Sequence, residues 1–185
     1  MTPLVQSVTN FLSYLTVLAD IFSVGLLIIL ITPLRRRGWT RDVAVFFGER
    51  ALFLSFLVAL GAVAGSLFYS NFAGFQPCLL CWWQRIFLYP QAILLFVAFI
   101  KKDQLMRLHS IILSSIGILI SLYHTFLQFG GESIFPCAAS GATCEHVYFL
   151  EYGYVTIPTM SLTVFALILL FMLSPNPKQK QLREL

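Results

Sequence analysis

Charge is what this 185-residue chain has least of: only 11% of its residues are Asp, Glu, Lys or Arg, against about 25% in ordinary soluble domains. With 58% hydrophobic residues beside them, these charges cannot solvate a domain of this size in water, which excludes the soluble globular class. The net charge of +4 comes without any basic cluster interleaved with aromatics, so a nucleic-acid surface has no support. The first apolar run lacks both the basic residues that precede a signal-peptide core and the small-residue cleavage pattern that follows one. It reads as a membrane span. Cysteine is scarce too, with four in the chain, and they fall into two pairs.

What is abundant is long apolar sequence, in five segments: Asn10 to Ile31, Ala51 to Phe72, a third ending at Ile100, Leu108 to Phe129, and Tyr154 to Ser174. Crossing a hydrocarbon core of about 30 Å takes about 20 residues. The uncharged run from Ile86 to Ile100 rises only about 22 Å at 1.5 Å per residue. The third span must therefore begin near Cys81, which places its cysteines at the membrane boundary and Arg85 about 6 Å inside it. The expected fold is an all-α integral membrane protein forming one domain. Span 10–31 precedes a four-helix unit at 51–174, and a tail follows at 175–185.

Orientation follows from the cations. If five helices alternate, Arg35, Arg36, Arg37, Arg41, Arg50, Lys101, Lys102, Arg107, Lys178, Lys180 and Arg183 all fall on one side, which is the cytoplasm by the positive-inside rule. The N-terminus and both cysteine pairs then lie outside, with the C-terminus in the cytoplasm. In a bacterium the outside is the oxidising compartment, where disulfides form and persist.

The chemistry centres on Pro77-Cys78-Leu79-Leu80-Cys81-Trp82-Trp83-Gln84-Arg85. A cysteine reacts as its thiolate, and apolar burial opposes that form, so a working site needs positive potential. Pro77 suits the first turn of a helix, which would put both cysteines at the positive helix end. Arg85, four residues after Cys81, would share its face. A C-x-x-C is also half of a structural zinc site. Here the other two cysteines, Cys137 and Cys144, sit in a different loop with six residues between them, and an arginine beside a dication is unfavourable. Redox chemistry is preferred to zinc or to two inert buried thiols, and no metal is expected.

Other residues ask for a role. His124 and Gln128 share a face near the outer end of the fourth span, with His124 about 7 Å below the boundary, at the depth of Arg85. His146 follows the second cysteine pair and either assists exchange or is simply solvated. Asp20, an acid within a span, is read as an interhelical hydrogen-bond partner or the lining of a water-filled notch in preference to a catalytic group. Gly61-x-x-x-Gly65 reads as a close helix-packing surface. The sequence from Cys137 to Cys144 is small and flexible, so these two cysteines are able to bond to each other, and an accessible disulfide of that kind exchanges readily.

The Cys-x-x-Cys-Trp-x-Gln-Arg motif at the start of a span, Tyr89-Pro90, the Tyr-His-Thr-x-x-Gln string at Tyr123 to Gln128 and the second outer pair together resemble the DsbB/BdbC family of membrane thiol oxidoreductases, from about Ala51 to Ser174. The resemblance implies that a thioredoxin-fold, DsbA-like partner attacks the Cys137/Cys144 disulfide, with Cys137 as the site of the mixed disulfide. Electrons then pass to Cys78/Cys81. Cys81 would carry the thiolate that reduces a non-covalently bound quinone, either ubiquinone or menaquinone. Arg85, Gln84 and His124 would bind that quinone in a slot at the outer end of a four-helix bundle. Many members of the family have four spans, so Asn10 to Ile31 is an addition that would pack on the exterior. A vitamin K epoxide reductase-like protein would carry its loop cysteines before the membrane pair, the reverse of the order here. A membrane scaffold or solute carrier would tolerate Cys81→Ser, whereas an oxidase would not.

Overall fold

The computed structural model describes residues 2–32, 38–103, 106–132 and 143–176. Among the described residues six α-helices follow one another: α1 (Pro3–Ile31), α2 (Gly38–Glu49), α3 (Ala51–Leu67), α4 (Leu79–Lys101), α5 (Met106–Gln128) and α6 (Ile157–Leu173). A π-helical turn, Phe68–Phe72, extends α3. The segments α1, α3 with its π turn, α4 and α5 are each long and apolar enough to cross a membrane. Large apolar side chains such as Phe11, Ile21, Ile93 and Leu119 are exposed on their outer faces, where lipid replaces water as the surrounding medium. The chain is a multi-pass helical membrane protein.

The last helix is shorter than expected, at 17 residues, or about 26 Å. Pro158 stands in its first turn, where the missing N–H costs no helical hydrogen bond, and the Thr156 N–H is satisfied by Thr159 Oγ1 at 2.7 Å. The stretch ahead of the second span forms a separate helix, α2, broken from α3 at Arg50. Gly48 lets α2 lie directly against the chain leaving α6, because a Cβ there would collide with the Pro175 backbone.

Helices α3, α4, α5 and α6 touch in a closed ring, α3 on α4, α4 on α5, α5 on α6 and α6 on α3, and α1 packs on α6. Phe165, fully buried, fills the α5–α6 seam against Gly117, where an added Cβ would lie 2.5 Å from its ring. At the opposite end of that seam Arg107 is buried. Its guanidinium donates to the carbonyls of Gly48 (3.3 Å), Phe171 (3.4 Å), Met172 (2.6 Å) and Ser174 (2.7 Å). These include C-terminal carbonyls of α6 that have no donor within the helix, so a cation there both neutralises the helix end and satisfies its acceptors.

Of the cations used to orient the chain, Arg35, Arg36, Arg37, Lys178, Lys180 and Arg183 lie outside the described residues. Arg107 proves to be a structural cap rather than a solvated loop charge.

Candidate redox site

The start of α4 builds the site. Cys78 is the N-cap of the helix, in extended backbone geometry, and its sulfur accepts from the Cys81 N–H at 3.4 Å. The helix therefore begins after Cys78, and Pro77 lies before the cap rather than in the first turn as expected. The reason is local: Cys81 occupies the third helical position, whose N–H has no partner within the helix, and the Cys78 sulfur supplies it.

Two more groups converge on that sulfur. Cys81 Sγ lies 3.2 Å away and His124 Nε2 lies 3.5 Å away. Gln84 Nε2 lies 3.1 Å from His124 Nδ1. An amide N–H can only donate, so Nδ1 accepts and the imidazole carries its proton on Nε2, facing Cys78. The Cys81 thiol and the His124 ring together hold the Cys78 thiol well below its ordinary range, against the opposing effect of burial.

The matched depth read from the sequence is thus realised between α4 and α5, but through Gln84. Arg85 turns the other way, toward α3. Its Nε donates to Ser66 Oγ at 3.0 Å and its terminal nitrogen to the Ser66 carbonyl at 3.3 Å. Tyr89 donates to the same Ser66 hydroxyl at 3.1 Å, and the Arg85 guanidinium lies 5.2 Å from the Trp82 ring centroid. Consecutive residues of a helix are about 100° apart, so Gln84 reaches α5 while Arg85 reaches α3.

Beside Arg85 lies a largely apolar cavity of about 330 Å³. Cys81, Gln84, Arg85 and Leu88 of α4 border it, with residues of α1, α3 and α6 around the rest. Neither Cys78 nor His124 lines it. Cys78 is packed instead with Leu127 and Cys144 in a separate buried cluster, against which the less buried Cys81 also rests. Cys144 is disulfide-bonded, and Cys137 lies outside the described residues. Both sulfurs of the C-x-x-C thus touch the cluster that holds Cys144, but of the two only Cys81 also borders the cavity. His124, expected beside a quinone ring, lies with Cys78 away from the cavity.

The remaining candidates have plainer roles. Gln128 donates to the His146 carbonyl at 3.0 Å, and the His146 ring lies edge-on to Tyr148 at 4.6 Å. Tyr148 stacks on Phe75 (4.3 Å), and Phe75 stacks on Tyr69 (5.6 Å). All three of these aromatic residues border the cavity. Asp20 is the interhelical partner expected of it, accepting from Tyr154 Oη at 2.8 Å and Thr163 Oγ1 at 2.6 Å.

Sequence reasoning missed Ser66 and misread its neighbours. Gly61 and Gly65 do not clamp two helices together. A Cβ on Gly61 would meet nothing within 4 Å, and one on Gly65 only the Leu12 side chain at 3.7 Å. Both residues border the cavity. The available signal was Ser66 itself, the polar end of an otherwise apolar stretch facing a span that carries Arg85 and Tyr89 one turn apart.

The donor atoms of Cys78, Cys81 and His124 lie within 4.8 Å of one another, a spacing a thiophilic cation would also tolerate. The separate exposures of the two sulfurs, and Arg85 in the same cavity as Cys81, suit dithiol exchange better.

Comparison with known proteins agrees with this chemistry. The family model described as disulfide bond formation protein DsbB matches residues 48–174. The chain is 40% identical over 145 residues to the SPbeta prophage-derived disulfide bond formation protein B of Bacillus subtilis (strain 168), covering 78% of this chain and 95% of that protein. It is 40% identical over 125 residues to probable disulfide formation protein C 1 of Bacillus anthracis, covering 65% and 87%. It is 39% identical over 123 residues to disulfide bond formation protein C of Bacillus subtilis (strain 168), covering 65% and 88%. No solved structure matches the chain.

Proposed function

The chain belongs to the DsbB family of disulfide bond formation proteins, and on that premise we propose that it reoxidises an extracytoplasmic, DsbA-like thiol oxidase and passes the electrons through its two cysteine pairs to a membrane quinone. The observation that carries this reading is that Cys78 is buried with Cys144 away from the cavity, whereas Cys81 spans the two, resting on that cluster and bordering the cavity. A relay needs one sulfur at each end.

In this reading a thiolate of the partner opens the outer disulfide at Cys137, and Cys144 is released with the electron pair. Cys144 attacks Sγ of Cys78: a Cys144–Cys78 bond forms, the Cys78–Cys81 bond breaks, and Cys81 leaves as a thiolate at the cavity edge, where Arg85 supplies positive charge. The partner's second thiol then frees Cys137 and departs oxidised. Cys137 attacks Cys144, the outer disulfide re-forms, and Cys78 is expelled.

A thiol of low pKa leaves fastest, and Cys78 has three donors waiting for its anion. Cys81 N–H, Cys81 Sγ and His124 Nε2 all reach it. Cys78 and Cys81 then hold two electrons between them, and their bond re-forms as the electrons pass on. The thiolate thus alternates: Cys81 carries it while Cys78 is engaged with Cys144, then takes up the proton given up by the partner's second thiol, and Cys78 carries the charge once released.

The cavity fits the acceptor by chemistry, with apolar walls and one polar end made by Cys81, Gln84 and Arg85. When bound, a quinone supplies a two-electron, two-proton sink. Arg85 is kept in place by Ser66 and offers hydrogen bonds and charge at that end. The membrane in this reading is the bacterial cytoplasmic membrane, with both cysteine pairs on its outer side.

The test is quinone reduction by purified protein given a reduced thioredoxin-fold oxidant, compared among wild type, Cys81→Ser and Cys137→Ser. Turnover by wild type alone is the expected result; turnover by either variant at the wild-type rate contradicts the relay.

A further inference from the structure

The helix that lies outside the family match is part of the site. Residues 48–174 carry the match, whereas α1 (Pro3–Ile31) precedes it. Yet Leu12, Leu15, Thr16 and Ala19 of α1 all border the cavity that Cys81 faces. Their spacing of three, one and three residues places them on a single face of a helix. Meanwhile α5 of the bundle supplies none of the lining.

The contact is built, not incidental. On either side of this stripe α1 is held by polar side chains. Tyr69 of the π turn donates to Thr9 at 3.4 Å, Gln6 donates to Glu151 at 3.2 Å, and Asp20 accepts from Tyr154 and Thr163. In an apolar medium such bonds have few competitors, and an unpaired acid is costly. Asp20 therefore fixes where α1 sits on α6. The glycines facing it act in the same direction. With no side chain on Gly61 or Gly65, the gap between α3 and α1 stays open, and the Leu12 side chain stands across from Gly65.

We propose that α1 is a wall of the acceptor pocket, its Leu12–Leu15–Thr16–Ala19 stripe setting the width of the slot and thereby which lipid-soluble quinone rings reach Cys81. This rests on the quinone reading above. It assigns a ligand-facing role to a helix that otherwise reads as an external addition.

The test is equilibrium binding of short-chain ubiquinone and menaquinone analogues to full-length protein in detergent, read as quenching of tryptophan fluorescence, with no turnover involved. Ala19→Phe narrows the slot and is expected to raise Kd at least tenfold, more for the two-ring menaquinone analogue. Leu18→Phe, on the exposed face, is expected to leave Kd unchanged. Leu12→Ala, which removes wall surface without adding bulk, is expected to weaken binding severalfold and to keep the inference testable if the phenylalanine variant fails to fold. Wild-type binding with all three variants equal to it would overturn the role of α1 while leaving the acceptor reading intact. Absence of binding by wild type would overturn the acceptor reading itself, and the wall with it.

Discussion

Replacing His124 with phenylalanine removes one donor from the Cys78 sulfur while keeping a ring of similar size between α4 and α5. The His124 Nε2 contact at 3.5 Å is one of three that favour the anion, and Cys78 is almost fully buried, so solvent cannot replace it. A hydrogen bond to a charged group contributes about 1.5–3 kcal/mol, and 1.36 kcal/mol corresponds to one pKa unit. The long contact argues for the lower end. The Cys78 pKa should therefore rise by about 1–2 units in His124→Phe.

The sign is fixed by the chemistry: losing a donor to the thiolate favours the thiol, so the anion disappears at a higher pH than in wild type. The assay is the rate of iodoacetamide alkylation of Cys78 against pH, in reduced protein carrying Cys137→Ser, Cys144→Ser and Cys81→Ala so that a single thiol reports. That background lacks the Cys81 thiol equally in both proteins, so the histidine effect is isolated. Gln84→Leu frees the imidazole to place its proton on Nδ1 and should shift the midpoint in the same direction by less. An unchanged midpoint in His124→Phe would refute the assignment of His124 as a donor to Cys78.

Two further outcomes follow from buried polar contacts. Ser66→Ala removes the acceptor that holds Arg85 Nε at 3.0 Å; quinone reduction should fall about tenfold, the equivalent of about 1.4 kcal/mol, while exchange between the two cysteine pairs keeps its wild-type rate, and equal loss in both steps would contradict a role confined to the cavity. Arg107→Met leaves the carbonyls at the end of α6 without their donor and should lower stability by about 2–4 kcal/mol, measured as the shift in reversible unfolding by denaturing detergent; unchanged unfolding would show that the cap carries no net stabilisation.

Much of the fold was legible because the bilayer imposes simple lengths. The short run after Arg85 forced the third span back to the cysteines, and the helix does begin at Leu79. The shared depth of His124 and the start of α4 was legible for the same reason, but its pairing with Cys78 rather than with Arg85 or a quinone was not.

What stayed hidden depended on direction around a helix. In water, apolar and polar faces differ and reveal which side packs. In lipid, the outer face of α1 and its cavity-lining face are both apolar, so Leu12 and Leu15 look no different from Leu18. Gly61 and Gly65 were ambiguous in kind, because a missing side chain makes room for a neighbouring helix or for a cavity. The turn of Gln84 toward His124 and of Arg85 toward Ser66 depended on which helices flank α4, which no single segment encodes. The sulfur cap at Cys78 was unreadable because cysteine is not among the usual N-cap residues.

The central claim, that Cys78 faces the outer pair and Cys81 the acceptor, is tested most directly by trapping. Two double variants leave Cys144 with one partner each: Cys81→Ser with Cys137→Ser retains Cys78, and Cys78→Ser with Cys137→Ser retains Cys81. After mild oxidation in detergent, peptide mapping without reduction should find a Cys78–Cys144 disulfide in nearly all of the first and little cross-link in the second. Equal cross-linking in both, or preference for Cys81, would contradict the relay.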